Sequence, residues 1–344
     1  MSPGASGLFG VGIGGPVLGQ TERAILERDP PRAVILFRRN IEAERQVVDL
    51  VREIHSLPGR PLVCVDQEGG PVDRLRDVVA AFPSFHSAAR AGFARRAGEL
   101  AGEACARFGF EVDLAPVVDR RLPGAGETVL GERAVDEDPD AVARAAREFL
   151  LGLHSRGVGG CLKHFPGLGR AASDTHLSLP VLPEGEGELA RDLAPFRALG
   201  GLAGAIMVSH AAGPDEVPAS LSAGVATRLL REEVGFGGVA FTDDLEMGAL
   251  RAFGGLPERS AAAAAAGCDL LWVCSRIEEY PECVRRVESD VPESRRVEAA
   301  RRIDAYVRHL HEVRRQEVPP SRPLEVLAAH VAALRQTIAE TTET

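Results

Sequence analysis

Between Leu8 and Cys274 short apolar runs alternate with amphipathic stretches eight times over. The runs occupy residues 8–13, 33–37, 62–65, 112–116, 158–162, 204–208, 238–241 and 269–274. They are rich in Val, Ile and Leu and lack the polar alternation of a strand with one wet face. Continuous apolar strands of this kind belong to parallel sheets covered by helices. Helical patterning is expected between them, over 21–28, 42–55, 87–108, 139–155, 186–199, 223–234 and 257–266, and again from residue 277 onward. Eight β/α repeats predict an α/β fold closed as a (β/α)8 TIM-type barrel, with a doubly wound open sheet as the alternative. The 344 residues suffice for one such domain, and with 45% hydrophobic but only 5% aromatic residues its core must be built from Ala, Val and Leu. Residues 1–316 are assigned to the barrel. Residues 317–344, which include Pro319-Pro320 and a helical pattern over 324–338, are expected to form an appended helix and a frayed tail.

Polar residues collect at the carboxyl ends of these runs. Asp66 follows the third, Lys163-His164 end the fifth, His210 follows the sixth, and Asp243-Asp244 end the seventh. Barrel enzymes place their chemistry on that face. Asp66-Gln67-Glu68 lead into Gly69-Gly70, which permit a tight turn, and Asp73-Arg74-Leu75-Arg76 come next. Gly131-Glu132-Arg133 lie in the irregular stretch after the fourth run. Beyond Lys163-His164 a loop punctuated by Pro166, Gly167 and Gly169 brings Asp174, Thr175 and His176. Residues i and i+2 of an extended segment point the same way, so Asp174 could orient the His176 ring and raise its basicity. The alternative is a polar loop whose Asp and His face water.

Asp243 or Asp244 could cap a helix that follows the strand, since Asp is a good N-cap. Both are not needed for that. A carboxylate on this face, kept ionised by a nearby cation such as Lys163, is a candidate nucleophile. A carboxylate nucleophile with a separate proton donor is the arrangement of a retaining glycosidase, although a histidine donor is unusual there. Asp66, Arg74, Arg133, Lys163 and His164 would offer hydrogen bonds to the hydroxyls of a sugar.

Composition removes other function classes. A net charge of −10 argues against nucleic acid as a partner. No apolar run approaches the roughly 18 residues of a membrane span, and the first residues lack the pattern of a signal peptide. A cytoplasmic protein is expected. The six cysteines are scattered without a CxxC pair, so no metal site is expected. The stretch from Gly10 to Gly15 fits GxGxxG. Pro16 follows at once, however, and Arg38-Arg39-Asn40 stand where a dinucleotide site needs an acidic residue. No organic cofactor is expected.

KHFPGLGRAASDTH, DQEGGPVDRLR and FTDDLEMGAL resemble the signatures of glycoside hydrolase family 3, especially its β-N-acetylglucosaminidases of the NagZ type. The similarity covers residues 7 to 280 and includes ILFRRN, LAPVVD and SHAAGPDEVPASLS. It implies that Asp243 is the nucleophile and forms a glycosyl–enzyme ester, with His176 as acid/base and Asp174 as its partner. It further implies that Asp66, Arg74, Arg133, Lys163 and His164 hold the hydroxyls of N-acetylglucosamine. In such enzymes the loop after the fifth strand closes over the substrate. Family 3 β-glucosidases draw a glutamate acid/base from a second domain, for which this chain is too short.

The implied activity is that of a cytoplasmic, monomeric exo-β-N-acetylglucosaminidase acting with retention on peptidoglycan-derived muropeptides. A phosphorylase is one alternative, because a histidine donor tolerates an anionic acceptor. A non-catalytic sugar-binding protein is another. Departures from the family pattern are Leu168 for histidine, Arg170-Ala171 for Asp-Thr, Pro71 for arginine, and Ala134-Val135 for Ser-Phe.

Overall fold

The computed structural model describes residues 4–122, 130–171, 179–180, 186–212, 216–315 and 318–342. Each of the eight apolar runs contributes to one parallel sheet. Its strands are β1 (Phe9–Gly12), β2 (Ala33–Leu36), β3 (Leu62–Val65), β6 (Val112–Asp113), β7 (Leu162–Phe165), β8 (Ala205–Val208), β9 (Val239–Asp244) and β10 (Leu270–Val273). The order β6-β3-β2-β1-β10-β9-β8-β7 leaves β6 and β7 as its two ends. Parallel bridges join these ends at Val112–Gly159 and Val117–Lys163. Backbone bonds from Asp113 N–H to the Gly159 carbonyl (2.9 Å) and from Val118 N–H to that of Lys163 (2.8 Å) complete the join. The sheet therefore curls round on itself as a TIM-type barrel, and the open doubly wound alternative falls away.

Two elements differ from the sequence expectation in ways that matter for the site. The fifth strand lies at Leu162–Phe165, not at 158–162. Gly159 and Cys161 bond to Glu111, Asp113 and Ala115 in and around the short β6, and regular pairing starts with β8, at Leu162 opposite Ile206. Lys163 and His164 thus lie within the strand and not beyond it. The seventh strand runs on to Asp244, carrying both carboxylates in its last two positions.

A further difference is an antiparallel hairpin, β4 (Gln67–Gly69) with β5 (Val72–Asp73), which the apolar pattern does not register because both strands are too short. The helix expected over 87–108 is divided into Phe85–Arg90 and Ala94–Phe108. Gly92 between them has φ +80°, a left-handed conformation that ends a helix and suits glycine. The stretch 224–233 winds as a π-helix.

The glycines that mimic a nucleotide fingerprint have a packing role. A Cβ on Gly10 would stand 2.2 Å from the Trp272 ring, and one on Gly12 would stand 2.0 Å from the Cys274 carbonyl oxygen. They let β1 lie close against β10. The C-terminal helix Leu324–Thr342 buries Leu327, Val331, Leu334 and Ile338 in the same apolar core as the barrel. It packs against the helices at 85–90 and 94–108.

Candidate active site

Asp66 leaves the end of β3, and the β4–β5 hairpin that follows is held from inside by Gln67. The Gln67 amide donates to Asp73 Oδ1 at 2.8 Å, and its carbonyl oxygen accepts from the Arg74 and Leu75 N–H groups at 3.0 Å each. Glu68 is thereby fixed beneath Arg133, which reaches down from the turn Gly131–Arg133 and grips it with Nε and Nη2 at 2.8 and 3.0 Å. From β7, Lys163 Nζ lies 2.7 Å from Asp66 Oδ1 and 2.6 Å from Glu68 Oε1. Arg74 Nη2 stands 4.0 Å from Asp66 Oδ2. Two carboxylates and three cations are thus interlocked at one level of the barrel mouth.

Burial alone would push the Glu68 carboxyl up. The charges of Arg133 and Lys163 outweigh it and hold that carboxyl far below the usual range. Burial likewise opposes the charge on Lys163, but Asp66 and Glu68 overcome it and raise the ammonium above its ordinary value. Lys163 therefore remains a cation and a hydrogen-bond donor, unsuited to act as a base.

His164 is fixed on both ring nitrogens. Nδ1 lies 2.7 Å from Asp119 Oδ2, and Nε2 lies 3.2 Å from Arg133 Nη2. A guanidinium can only donate, so Nε2 accepts and the proton sits on Nδ1. Asp119 also accepts from the backbone N–H of His164 (3.1 Å) and of Leu168 (2.7 Å). It is the orienting group for His164, and the sequence reading did not single it out. The peptide joining Lys163 to His164 is cis, and both side chains line one cavity.

Asp243 and Asp244 close the ring from β9. Desolvation works against ionising Asp243, yet its carboxyl is held below the usual value. The His210 and His164 imidazoles, the Asp244 N–H, which donates to Asp243 Oδ1 at 2.8 Å, and the Lys163 ammonium outweigh the burial. Asp244 is pushed the other way, to about 7, by burial first and then by the charges of Glu246 and Asp243. Its Oδ1 accepts from the Glu246 N–H at 3.0 Å and closes a turn, and the expected helix capping is not seen, since the next helical element, Gly248–Phe253, has Met247 at its N-cap. Two neighbouring carboxyl groups with values driven apart distinguish an ionised group from a proton-holding one. His210 secures the strand end, donating from Nε2 to the Asp244 carbonyl at 2.8 Å while Nδ1 meets Ser220 Oγ at 2.7 Å.

Asp66, Arg74, Arg133, Lys163, His164 and Asp243 all line a single cavity of about 180 Å³, together with Glu68, Asp244 and apolar walls that include Phe37, Met207, Met247 and Trp272. Asp174 and His176 fall in 172–178, outside the described residues. Among the described residues no group of His, Cys, Asp and Glu is arranged to hold a metal ion.

The departures in the loop after β7 have partners of their own. Leu168 and Ala171 pack with Leu130, Ala134 and Ala211 in a small apolar cluster, so three of the unusual residues touch the same patch. Arg170 Nε donates to Asp192 Oδ2 at 2.7 Å, and Arg120 Nε approaches Asp192 Oδ1 at 3.1 Å. The charge reversal at position 170 is answered by a buried carboxylate. Pro71 has no comparable explanation in the structure.

Comparison with known proteins decides the family. Residues 17–313 match the glycosyl hydrolase family 3 N-terminal domain. The chain belongs to glycoside hydrolase family 3. A relative named β-hexosaminidase from Stenotrophomonas maltophilia is 39% identical over 291 residues, spanning 80% of this chain and 84% of its own length. Another of that name from Thiobacillus denitrificans is 36% identical over 304 residues, 84% of each chain. Among solved structures, the family 3 β-N-acetylglucosaminidase of Paenibacillus sp. superposes with a TM-score of 0.87 at 29% identity, over 97% of this chain and 68% of that one. NagZ from Neisseria gonorrhoeae in complex with N-trifluoroacetyl-D-glucosamine superposes with a TM-score of 0.80 at 28% identity, over 95% of this chain and 97% of that one.

Proposed function

We propose that this family 3 hydrolase is a retaining exo-β-N-acetylglucosaminidase. Asp243 is the nucleophile, His176 the acid/base and Asp174 its partner, while Asp66, Arg74, Arg133, Lys163 and His164 hold the terminal sugar. The observation that carries the reading is the convergence of those five binding residues and an ionised Asp243 on one cavity. In this account Asp243 attacks the anomeric carbon and the glycosidic oxygen leaves with a proton from His176. Water, deprotonated by the same imidazole, then hydrolyses the ester with net retention. The cations around Glu68 fix the ring, leaving Asp243 as the ionised carboxylate free to attack.

The β-hexosaminidase relatives and the Neisseria neighbour support the N-acetylated sugar. Muropeptides as the natural substrate, a monomeric state and a cytoplasmic location rest on resemblance to the NagZ type. No described helix is long and apolar enough to cross a membrane. The division into a catalytic portion, 1–316, and an appended segment, 317–344, is part of the same proposal.

The reading is tested with 4-nitrophenyl β-N-acetylglucosaminide. Nitrophenol release that does not depend on phosphate is expected, with Asp243→Asn lowering it at least about 10³-fold in a folded protein. Release that requires phosphate and yields a sugar 1-phosphate would make it a phosphorylase instead. No release under either condition would leave a sugar-binding protein.

A further inference from the structure

Trp272 is the single tryptophan of the chain. It stands on β10 beside the candidate nucleophile, its Cα in register with that of Asp244. Its backbone is engaged there: the N–H donates to Thr242 Oγ1 at 3.0 Å, and the carbonyl accepts from the Leu245 N–H at 3.1 Å. The side chain is 1% exposed. It meets Phe241 edge-on, with centroids 6.0 Å apart and planes at 86°. Its six-membered ring lies over Gly10, where any Cβ would come within 2.2 Å. β1 therefore keeps a position bare of side chain to admit an indole at this level of the barrel.

Bulk and apolarity do not require an indole, since other aromatic rings supply both. What the indole adds is Nε1–H, and here that group is buried with no acceptor among the described residues. Buried tryptophans ordinarily pair this donor, because leaving it unpaired is costly. The same ring forms part of the wall of the cavity lined by Asp243, Lys163 and Arg133. Lys163 and Arg133 in that cavity are paired with Asp66 and Glu68, whereas the Trp272 donor, like Arg74 Nε, has no partner among the described residues.

We propose that Trp272 is a substrate-binding residue whose Nε1–H donates a hydrogen bond to an oxygen of the bound pyranoside, a hydroxyl or the acetamido carbonyl. This rests on the N-acetylglucosaminidase reading. It assigns to the last strand a contact that neither the Asp66–Lys163–Arg133 cluster nor Asp243 provides.

Trp272→Phe keeps an aromatic ring over Gly10 and removes only the donor. KM for 4-nitrophenyl β-N-acetylglucosaminide should rise about fivefold, the ratio expected for one neutral hydrogen bond, with kcat held within about twofold. The same comparison on 4-nitrophenyl β-glucoside separates the two acceptors. A KM ratio retained there assigns a ring hydroxyl, and a ratio that vanishes assigns the acetamido group.

The unaltered protein supplies a second readout that does not depend on the variant's folding. Its fluorescence comes from one indole when excited at the red edge of the absorption band, and titration with N-acetylglucosamine should change it with the same saturation as inhibition of turnover. An unchanged KM in Trp272→Phe, or a flat fluorescence titration in an enzyme that N-acetylglucosamine inhibits, overturns the assignment while the hydrolase reading stands. Absence of binding and of turnover in the unaltered protein overturns both.

Discussion

Asp243 and Asp244 are covalent neighbours that the fold treats oppositely. Both are desolvated, but the first meets an N–H group, two imidazoles and Lys163, and the second meets two other carboxylates. Asp244 is held near 7, against an ordinary value of 3.8, so its neutral form is the one that folding favours. Its contribution to stability is complete below about pH 4 and is lost as the pH rises through about 7. Asp244→Asn keeps a neutral acceptor for the Glu246 N–H and removes the ionisation. The melting temperature of this variant, relative to the unaltered protein, should therefore climb between about pH 4 and pH 8. Parallel melting curves over that range would show that Asp244 does not carry the titration.

Which of the two was the nucleophile could not be read from FTDDL alone, because both occupy a strand end and either could cap. The family resemblance named Asp243, and the electrostatics separate the pair independently. Asp119 was hidden for a different reason. It closes an apolar run like any strand-terminal carboxylate, and its task depends on β6 lying beside β7, a relation of the closed barrel and not of local sequence. Glu68 stood in plain view inside DQEGG. Only the hairpin reveals that it faces Arg133 and Lys163.

The loop that leaves β7 is anchored before it reaches 172. The Leu168 N–H holds Asp119, Leu168 and Ala171 enter the apolar patch with Leu130 and Ala134, and Arg170 and Arg120 share the buried Asp192. The departures from the family pattern at 134, 168, 170 and 171 thus form a consistent local substitute, legible only once residues distant in sequence are brought together. Asp192→Ala removes the carboxylate that Arg170 and Arg120 share, while Arg120 keeps Glu188, and should cost about 1–3 kcal/mol in urea unfolding. Arg170→Ala keeps the Arg120–Asp192 pair and should cost distinctly less. Equal losses from the two variants would contradict a shared carboxylate.

Strand and helix positions were mostly legible because apolar runs and helical periods are local signals. The fifth strand was misplaced by four residues at its start, since pairing with β8 decided where regular structure begins. The hairpin β4–β5 was not expected at all, its strands being too short to carry a pattern.

Closure of the barrel is what turns scattered motifs into a site. Asp66 and Asp243 are separated by about half of the chain, yet the order of the strands sets them on one rim with β7 between them and the cavity in common. Eight apolar runs were enough to foresee that architecture, and the carboxyl-end placement of charged residues was enough to foresee which face mattered. The sugar itself was beyond what spacing could specify, because hydroxyl-binding clusters of similar composition serve many pyranosides. The account stands on a covalent intermediate at Asp243. Incubation with a fluorinated N-acetylglucosaminyl fluoride, which forms the glycosyl ester faster than it is hydrolysed, followed by peptide mass analysis, reads that intermediate. A mass increase of one fluorinated sugar on the peptide residue Asp243 is predicted, and a catalytically active enzyme labelled at Asp244, labelled elsewhere or not labelled would contradict it.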